Sequence, residues 1–391
     1  MNKKAAIYDP YLDTLGGGER YCLTIAEILL QHGYSVDLYW SGDPNLIIKA
    51  QQRFNLDLAR IRIVKDIFNF TPNNINFLED IESLTKISTQ HHRRVNFFYK
   101  TISIINKFWI TKDYQLFFYL SDWSIPFLFS KNNLLHVQVP FSTEKKSSLN
   151  LINKFKLYFY NHIICNSQFT QNFAQNYFGH KSLILYPPVD VDKFNPSVKK
   201  ENIILSMGRF DNLLNSKKQD IMIKAFQELY PRHPDWKLVF TGGSVESPDK
   251  NKYLVYLKEI SSDLPVEFIV NPNFETLAKY YSLSKIYWHA AGYDVDENIH
   301  PENTEHFGIA PVEAMASGSV PLVVAKGGLP EIVDNNQNGY LWHNLDELLD
   351  KTNLLINSPQ LLQKLSSAAI IKSKKFSKQE FTKNFLPLLK L

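Results

Sequence analysis

The stretch NIILSMGRFDNLLNSKKQDIMIKAFQELYPRHPDWKLVFTGG, residues 202–243, sets the architecture. NIILSMGRF (202–210) and WKLVFTGG (236–243) are apolar runs of strand length. Between them QDIMIKAFQELY (219–230) carries its apolar residues at helical spacing. The alternation continues outward through NKYLVYLKEIS (251–261), VEFIV (266–270), FETLAKYYSLS (274–284), KIYWHAA (285–291) and SVPLVVA (319–325). It is also present before residue 170. AAIYDPY (5–11) reads as a strand, YCLTIAEILLQHG (21–33) as an amphipathic helix closed by Gly33, and YSVDLYW (34–40) as a second strand. LFFYL, NLLHVQVPF and HIICNS are further apolar runs of strand length. Alternation of this kind predicts an α/β protein of two similar halves, each a doubly wound parallel sheet covered by helices. The proline- and charge-rich segment YPPVDVDKFNPSVKKEN (186–202) reads as the linker, which gives domains of 1–195 and 196–375.

Composition agrees with two folded domains. The chain has 391 residues, too many for one ordinary core. Its two cysteines, Cys22 and Cys165, lie far apart, show no metal-ligand spacing and form no disulfide framework, so the expected compartment is reducing. No apolar run approaches the length of a membrane span, and no secretory core precedes Asp9. The expected location is therefore the cytoplasm. The net charge of +4 is unevenly spread: residues 1–195 hold 21 basic and 16 acidic side chains, the remainder 22 and 23. Two stretches of the first half, 91–109 and 144–160, interleave lysine and arginine with aromatic and aliphatic residues. They suit peripheral contact with an anionic membrane on its cytoplasmic face, although solvated basic helix faces would give the same pattern. No nucleic-acid-binding module accompanies the charge, and no nucleic-acid partner is expected.

In open parallel sheets ligands sit at the carboxyl ends of the strands, so the loops there are the candidates. Gly16, Gly17 and Gly18 precede a helix, where backbone N–H groups can approach an anion closely. The run is not a GxGxxG dinucleotide fingerprint. MGRF (207–210) ends a strand, with Lys217 and Lys218 following. An arginine at a buried strand end needs an anionic partner, so Arg209 with a lysine makes a clamp for two adjacent phosphates; a structural pairing with Asp211 is the alternative. AKGGLPEIV (325–333) offers Gly327 and Gly328 beside another helix start. In EHFGIAPVE (305–313), Pro311 marks a helix start with Glu313 in the first turn and Glu305 in the loop before it, and Gly318 is the expected C-cap. Glu313 at that place would also complement the helix dipole.

Taken in order, GGGER, HVQVPF, CNSQFT, YPPVD, SMGRF with SKKQDIMIKAF, EHFGIAPVEAMASGSVPLVV and GGLPEIV resemble the retaining glycosyltransferases of family 4, from about residue 5 to 345. GGGER with EHFG is most like the branch holding many mannosyltransferases of lipid-linked glycans. The resemblance implies the two-Rossmann GT-B fold and a C-terminal helix, about 376–391, packed back on the first domain. It implies a hexose, of mannose or glucose type, moved from a GDP- or UDP-linked diphosphate sugar to a glycan or lipid-linked glycan, with no cofactor and no metal. Arg209 and Lys217 correspond to the cationic pair, with Lys218 as a neighbour. Gly17, Gly18, Phe307, Gly308, Ile309 and Ala310 would line the donor, and Glu313 would take the ribose hydroxyls. Glu305 would approach the sugar, and His136 is the candidate from the first domain. Many members place that histidine two residues before the proline, where this chain has Gln138. The loop WHAAGYDVDENIHPENTEHFG (288–308) is longer and more acidic than usual for the family. A sugar-nucleotide epimerase, or a silent sugar-nucleotide binding protein, are the alternatives of the same fold.

Overall fold

The computed structural model describes residues 3–68, 104–121, 124–140, 151–211 and 216–390. Within them lie two all-parallel sheets. The first contains β1 (Lys3–Tyr8), β2 (Tyr34–Tyr39), β3 (Arg62–Val64), β4 (Leu116–Leu120), β5 (Asn132–Val137), β6 (His162–Cys165) and β7 (Leu183–Ile184), in the order β3-β2-β1-β4-β5-β6-β7. The second contains β8 (Glu201–Met207), β9 (Lys237–Gly242), β10 (Val266–Val270), β11 (Ser284–His289), β12 (Val320–Val324) and β13 (Tyr340–Trp342), in the order β10-β9-β8-β11-β12-β13. Register follows directly along the central pairs, with Ala5 opposite Val36 and Ile204 opposite Leu238. Both sheets are Rossmann-like, and the winding reverses between β1 and β4 and again between β8 and β11. Those reversals open a crevice at the carboxyl edge of each sheet.

The uninterrupted apolar strands have a physical cause. Helices cover both faces of each sheet, so inner strands such as β4, β5 and β12 are buried throughout, while the edge strands β3, β7 and β10 stay partly exposed. Along β1 the strand period of two sends Ala5 and Ile7 into one layer and Ala6 and Tyr8 into the other. The second lobe has one large core around β8, β11 and β12, with Trp288 and Trp342 fully buried. After the helix Pro359–Ser373 the chain returns to the first lobe. There the helix Lys378–Phe385 buries Phe381 and Phe385 among the residues of β1 and β2, and Asn132 donates to the Leu388 carbonyl at 2.7 Å.

A second link joins the lobes. The Glu331 carboxylate accepts hydrogen bonds from the backbone N–H groups of Gln168 (2.7 Å) and Phe169 (2.8 Å), the free first-turn donors of the helix Gln168–Phe178. Of the two basic stretches, 91–103 and 144–150 lie outside the described residues. No described helix is long and apolar enough to cross a membrane.

Candidate active site

After β1 the chain makes a short 3₁₀ turn (Leu12–Thr14) and enters the helix Gly17–Gln31. Glu19 stiffens this entry, its Oε2 accepting from the Gly16 N–H and the Thr14 hydroxyl, both at 2.6 Å. Across the crevice, after β11, comes the helix Ile309–Ala316. It begins two residues before the proline that the sequence marked as its start. Gly308 makes this possible by turning at φ +113°, a conformation open to glycine. Pro311 still falls in the first turn, where its missing N–H has no partner to lose. Glu313 therefore sits in the second turn, which removes the dipole explanation for it. Gly318, at φ +79°, follows the Ser317 C-cap and donates to the Met315 carbonyl at 3.0 Å.

The two helix starts meet. A Cβ built on Gly17 would fall 2.8 Å from Ile309 Cδ1, so a larger residue there would have to displace the Ile309 side chain. Gly18 lies against Gln138, whose Nε2 is 3.5 Å from the Gly18 carbonyl. Gly17, Gly18, Ile309 and Gln138 thus form one wall, and Ala310 follows Ile309 in the first helical turn. Phe307 is instead buried beneath the loop, its ring 5.6 Å from that of Tyr186 and 5.3 Å from that of Phe376.

The carboxylates at the two ends of EHFGIAPVE have different surroundings. Glu305 Oε2 accepts from Lys217 Nζ at 2.7 Å and contacts His289 Nε2 at 2.9 Å. Burial alone would raise this carboxyl; the Lys217 charge, then His289, overcome it and hold the group well below the usual carboxylate range. The His289 ring is itself kept toward its neutral form by burial. Gly328 donates to the Glu305 carbonyl at 2.8 Å, so the GGLPEIV turn braces the loop from behind. Glu313 is 7% exposed; its Oε2 accepts from the Tyr281 hydroxyl at 3.0 Å, and its Oε1 stands 3.6 Å from Arg20 Nη1. Burial raises the Glu313 carboxyl, and Arg20 is the largest influence pulling it back.

Two expectations need correction. His136 is completely buried, its ring stacked 4.1 Å from Tyr21 and tilted against Phe118 at 5.4 Å, with Nδ1 donating to the Ile164 carbonyl at 3.2 Å. Burial lowers its pKa to about 3 and keeps it neutral. The strand period does set His136 and Gln138 on one face, along the helix Gly17–Gln31, but only Gln138 reaches the helix end at the crevice. Arg209 is the second case. Its side chain is 61% exposed, so water solvates it and the argument from a buried charge fails; its Nε lies 3.5 Å from Asp211, the alternative partner. Lys217 lays its stem against Gly208, the residue before Arg209, while Lys218 stands at the N-cap of the helix Gln219–Leu229 in the left-handed conformation.

Sequence reasoning passed over His289, Arg20 and Tyr281. His289 ends β11 at the point where the winding reverses, so the strand-end rule could have found it. Arg20 stands inside GGGER, where the glycines carry the stronger phosphate-binding signal. Tyr281 carries no local signal.

The description Glycosyltransferase Family 4 matches residues 15–193 and Glycosyl transferases group 1 matches residues 190–372. An uncharacterized glycosyltransferase of Haemophilus influenzae is 23% identical over 99% of this chain and 100% of its own length. The GDP-Man:Man(3)GlcNAc(2)-PP-Dol alpha-1,2-mannosyltransferase of Xenopus laevis is 31% identical over 53% of this chain, a stretch that spans 43% of that relative. Among solved structures, Anabaena HepE in complex with UDP superposes with a TM-score of 0.70 at 17% identity, covering 99% of both chains. A glycosyltransferase from Rickettsia africae gives 0.68 at 16%, covering 100% of this chain and 98% of the other. Two adjoining family matches that together span residues 15–372, over paired Rossmann-like sheets facing a common crevice, place the chain in the family 4 glycosyltransferases with the GT-B fold.

Proposed function

We propose that this glycosyltransferase moves a hexose of mannose or glucose type, with retention of configuration, from a GDP- or UDP-linked sugar to a glycan or lipid-linked glycan acceptor. The observation that carries the reading is the pair of half-held carboxylates. In both Glu305 and Glu313 the protein's hydrogen bonds go to Oε2, and among the described residues no hydrogen bond is made to either Oε1. Each therefore keeps an acceptor for ligand hydroxyls. Glu305, held ionised by Lys217, is a poor acid and a good acceptor, which suits gripping a sugar hydroxyl rather than protonating a leaving group. Glu313 takes the ribose.

Charge that develops on the departing diphosphate needs preorganised cations and N–H groups. Lys217, with Arg209 near it, provides the cations in this reading without a metal, and the helix starts at Gly17 and Ile309 provide N–H groups. The sugar's bond to the phosphate oxygen breaks as its bond to the acceptor oxygen forms on the same face. The acceptor proton passes to the leaving phosphate, so no protein nucleophile is assigned. The names of the relatives support both donor types, mannose in the Xenopus laevis protein and UDP with glucose in the HepE structures.

A membrane-borne acceptor fits the first lobe. Trp109, Leu151, Phe155 and Tyr158 are exposed at 56–85%, with Lys112 Nζ 3.7 Å over the Trp109 ring. Co-sedimentation with anionic vesicles at low salt, weakening as salt is raised, is the expected result; no binding at low salt would remove this part of the proposal.

Incubation with a panel of nucleotide sugars and acceptors tests the whole. Release of nucleoside diphosphate that depends on acceptor is the expected outcome. A changed sugar on an intact nucleotide would mean epimerisation, and tight binding without turnover a silent binding protein.

A further inference from the structure

Arg20 is in an unfavourable place for its own helix. It lies in the first turn of Gly17–Gln31, where the helix dipole disfavours a cation, and its side chain is only 13% exposed. A guanidinium this buried needs anionic partners. One of the two it has lies in the second lobe. Asp190, in the linker, is 3.1 Å from Nη2, and Glu313, in the second lobe, is 3.6 Å from Nη1. The distance to Glu313 exceeds a hydrogen bond, so Arg20 balances the charge of Oε1 without occupying it.

We propose that Arg20 is a positioning residue of the donor site: reaching from the first lobe, its guanidinium fixes and charge-balances the Glu313 carboxylate of the second lobe, so the ribose pocket is complete only when both lobes contribute. This rests on the assignment of Glu313 to the ribose. The groups facing Glu313 are Arg20 from its helix, Asp190 and Lys193 from the linker, Tyr281 from the helix Phe274–Leu283 and Tyr287 from β11. Of these Arg20 is the strongest force toward the ionised form, against burial. Without it the Glu313 pKa rises further, so ribose binding is lost at low pH and returns as pH rises through the new value.

The test is calorimetric titration of GDP, UDP and their 2′,3′-dideoxy counterparts at pH 6 and pH 9, on wild type, Arg20→Met and Arg20→Lys. The readout is the ratio of affinities of each nucleotide to its dideoxy form, which cancels the titration of the phosphates. Wild type should prefer the ribose form. Arg20→Met should lose part of that preference at pH 6, because the Glu313 carboxyl is raised further without the arginine, and regain most of it at pH 9. Arg20→Lys should keep it, and thermal melting of both variants checks the fold. A loss in Arg20→Met shared equally by both ligand forms, a loss independent of pH, or no loss overturns the proposal. A wild type that binds both forms equally overturns the ribose assignment itself and this role with it.

Discussion

Glu305 and Glu313 stand eight residues apart in one motif, yet the fold drives their acidities in opposite directions. Glu305 has a lysine and a histidine of its own lobe on one oxygen and is held ionised. Glu313 has a tyrosine of its own lobe and an arginine of the other, and burial raises it. The difference shows what a lobe can build alone. The proposed sugar end of the site is assembled within the second lobe, from β11 and the loop that leads into the helix Gln219–Leu229. The proposed nucleoside end depends on the first lobe approaching.

That contrast can be broken most severely at Glu305. Glu305→Gln removes the carboxylate charge beside Lys217 and the proposed sugar anchor; turnover should fall by roughly 10²-fold or more, comparable with losing one preorganised stabilising group. Steady-state assay of nucleoside diphosphate release measures it, and an unchanged rate would remove Glu305 from the site. Glu313→Gln should act on binding instead. Weakening an acceptor of charged hydrogen bonds raises KM for the donor roughly tenfold, with a smaller change in kcat. The same variant sharpens the comparison through pH. Because the folded Glu313 is raised above its ordinary value, wild-type donor affinity should decline as pH falls toward that value, and Glu313→Gln should flatten this limb. Glu305, held low, adds nothing over that range.

The smallest effect concerns stability alone. His136 has a folded pKa near 3 against an ordinary 6.5. Between those values the unfolded chain binds one proton more than the folded chain, so stability is present above pH 6.5 and is lost as pH falls. The slope is about 1.4 kcal/mol per pH unit. His136→Phe, which keeps a ring against Tyr21, should flatten the denaturation midpoint between pH 6.5 and 4 while leaving donor binding intact. A large loss of donor binding in this variant would return His136 to the catalytic cleft.

The wound sheets were legible because a strand buried on both faces must be apolar throughout, as LFFYL is, and a covering helix must carry its apolar stripe at the spacing of Met222, Ala225, Phe226 and Leu229. Loops at strand ends were legible as places, which is why GGGER, MGRF and EHFGIAPVE could be singled out. What those side chains touch was not. Exposure at Arg209 depends on the path of neighbouring loops, and burial of His136 depends on a tyrosine 115 positions earlier meeting it across the sheet. Arg20 and Glu313 are nearly 300 residues apart, and only the approach of the two lobes brings them together.

The central claim is that the two glutamates grip opposite ends of one donor. Equilibrium binding of GDP, UDP, GDP-mannose and UDP-glucose to Glu305→Gln and Glu313→Gln tests it most directly. Glu313→Gln should weaken the bare nucleotide and its sugar form alike, whereas Glu305→Gln should bind the bare nucleotide at least as well as wild type and lose only the increment contributed by the sugar. Equal losses of bare nucleotide in both variants, or no loss in either, would contradict the division.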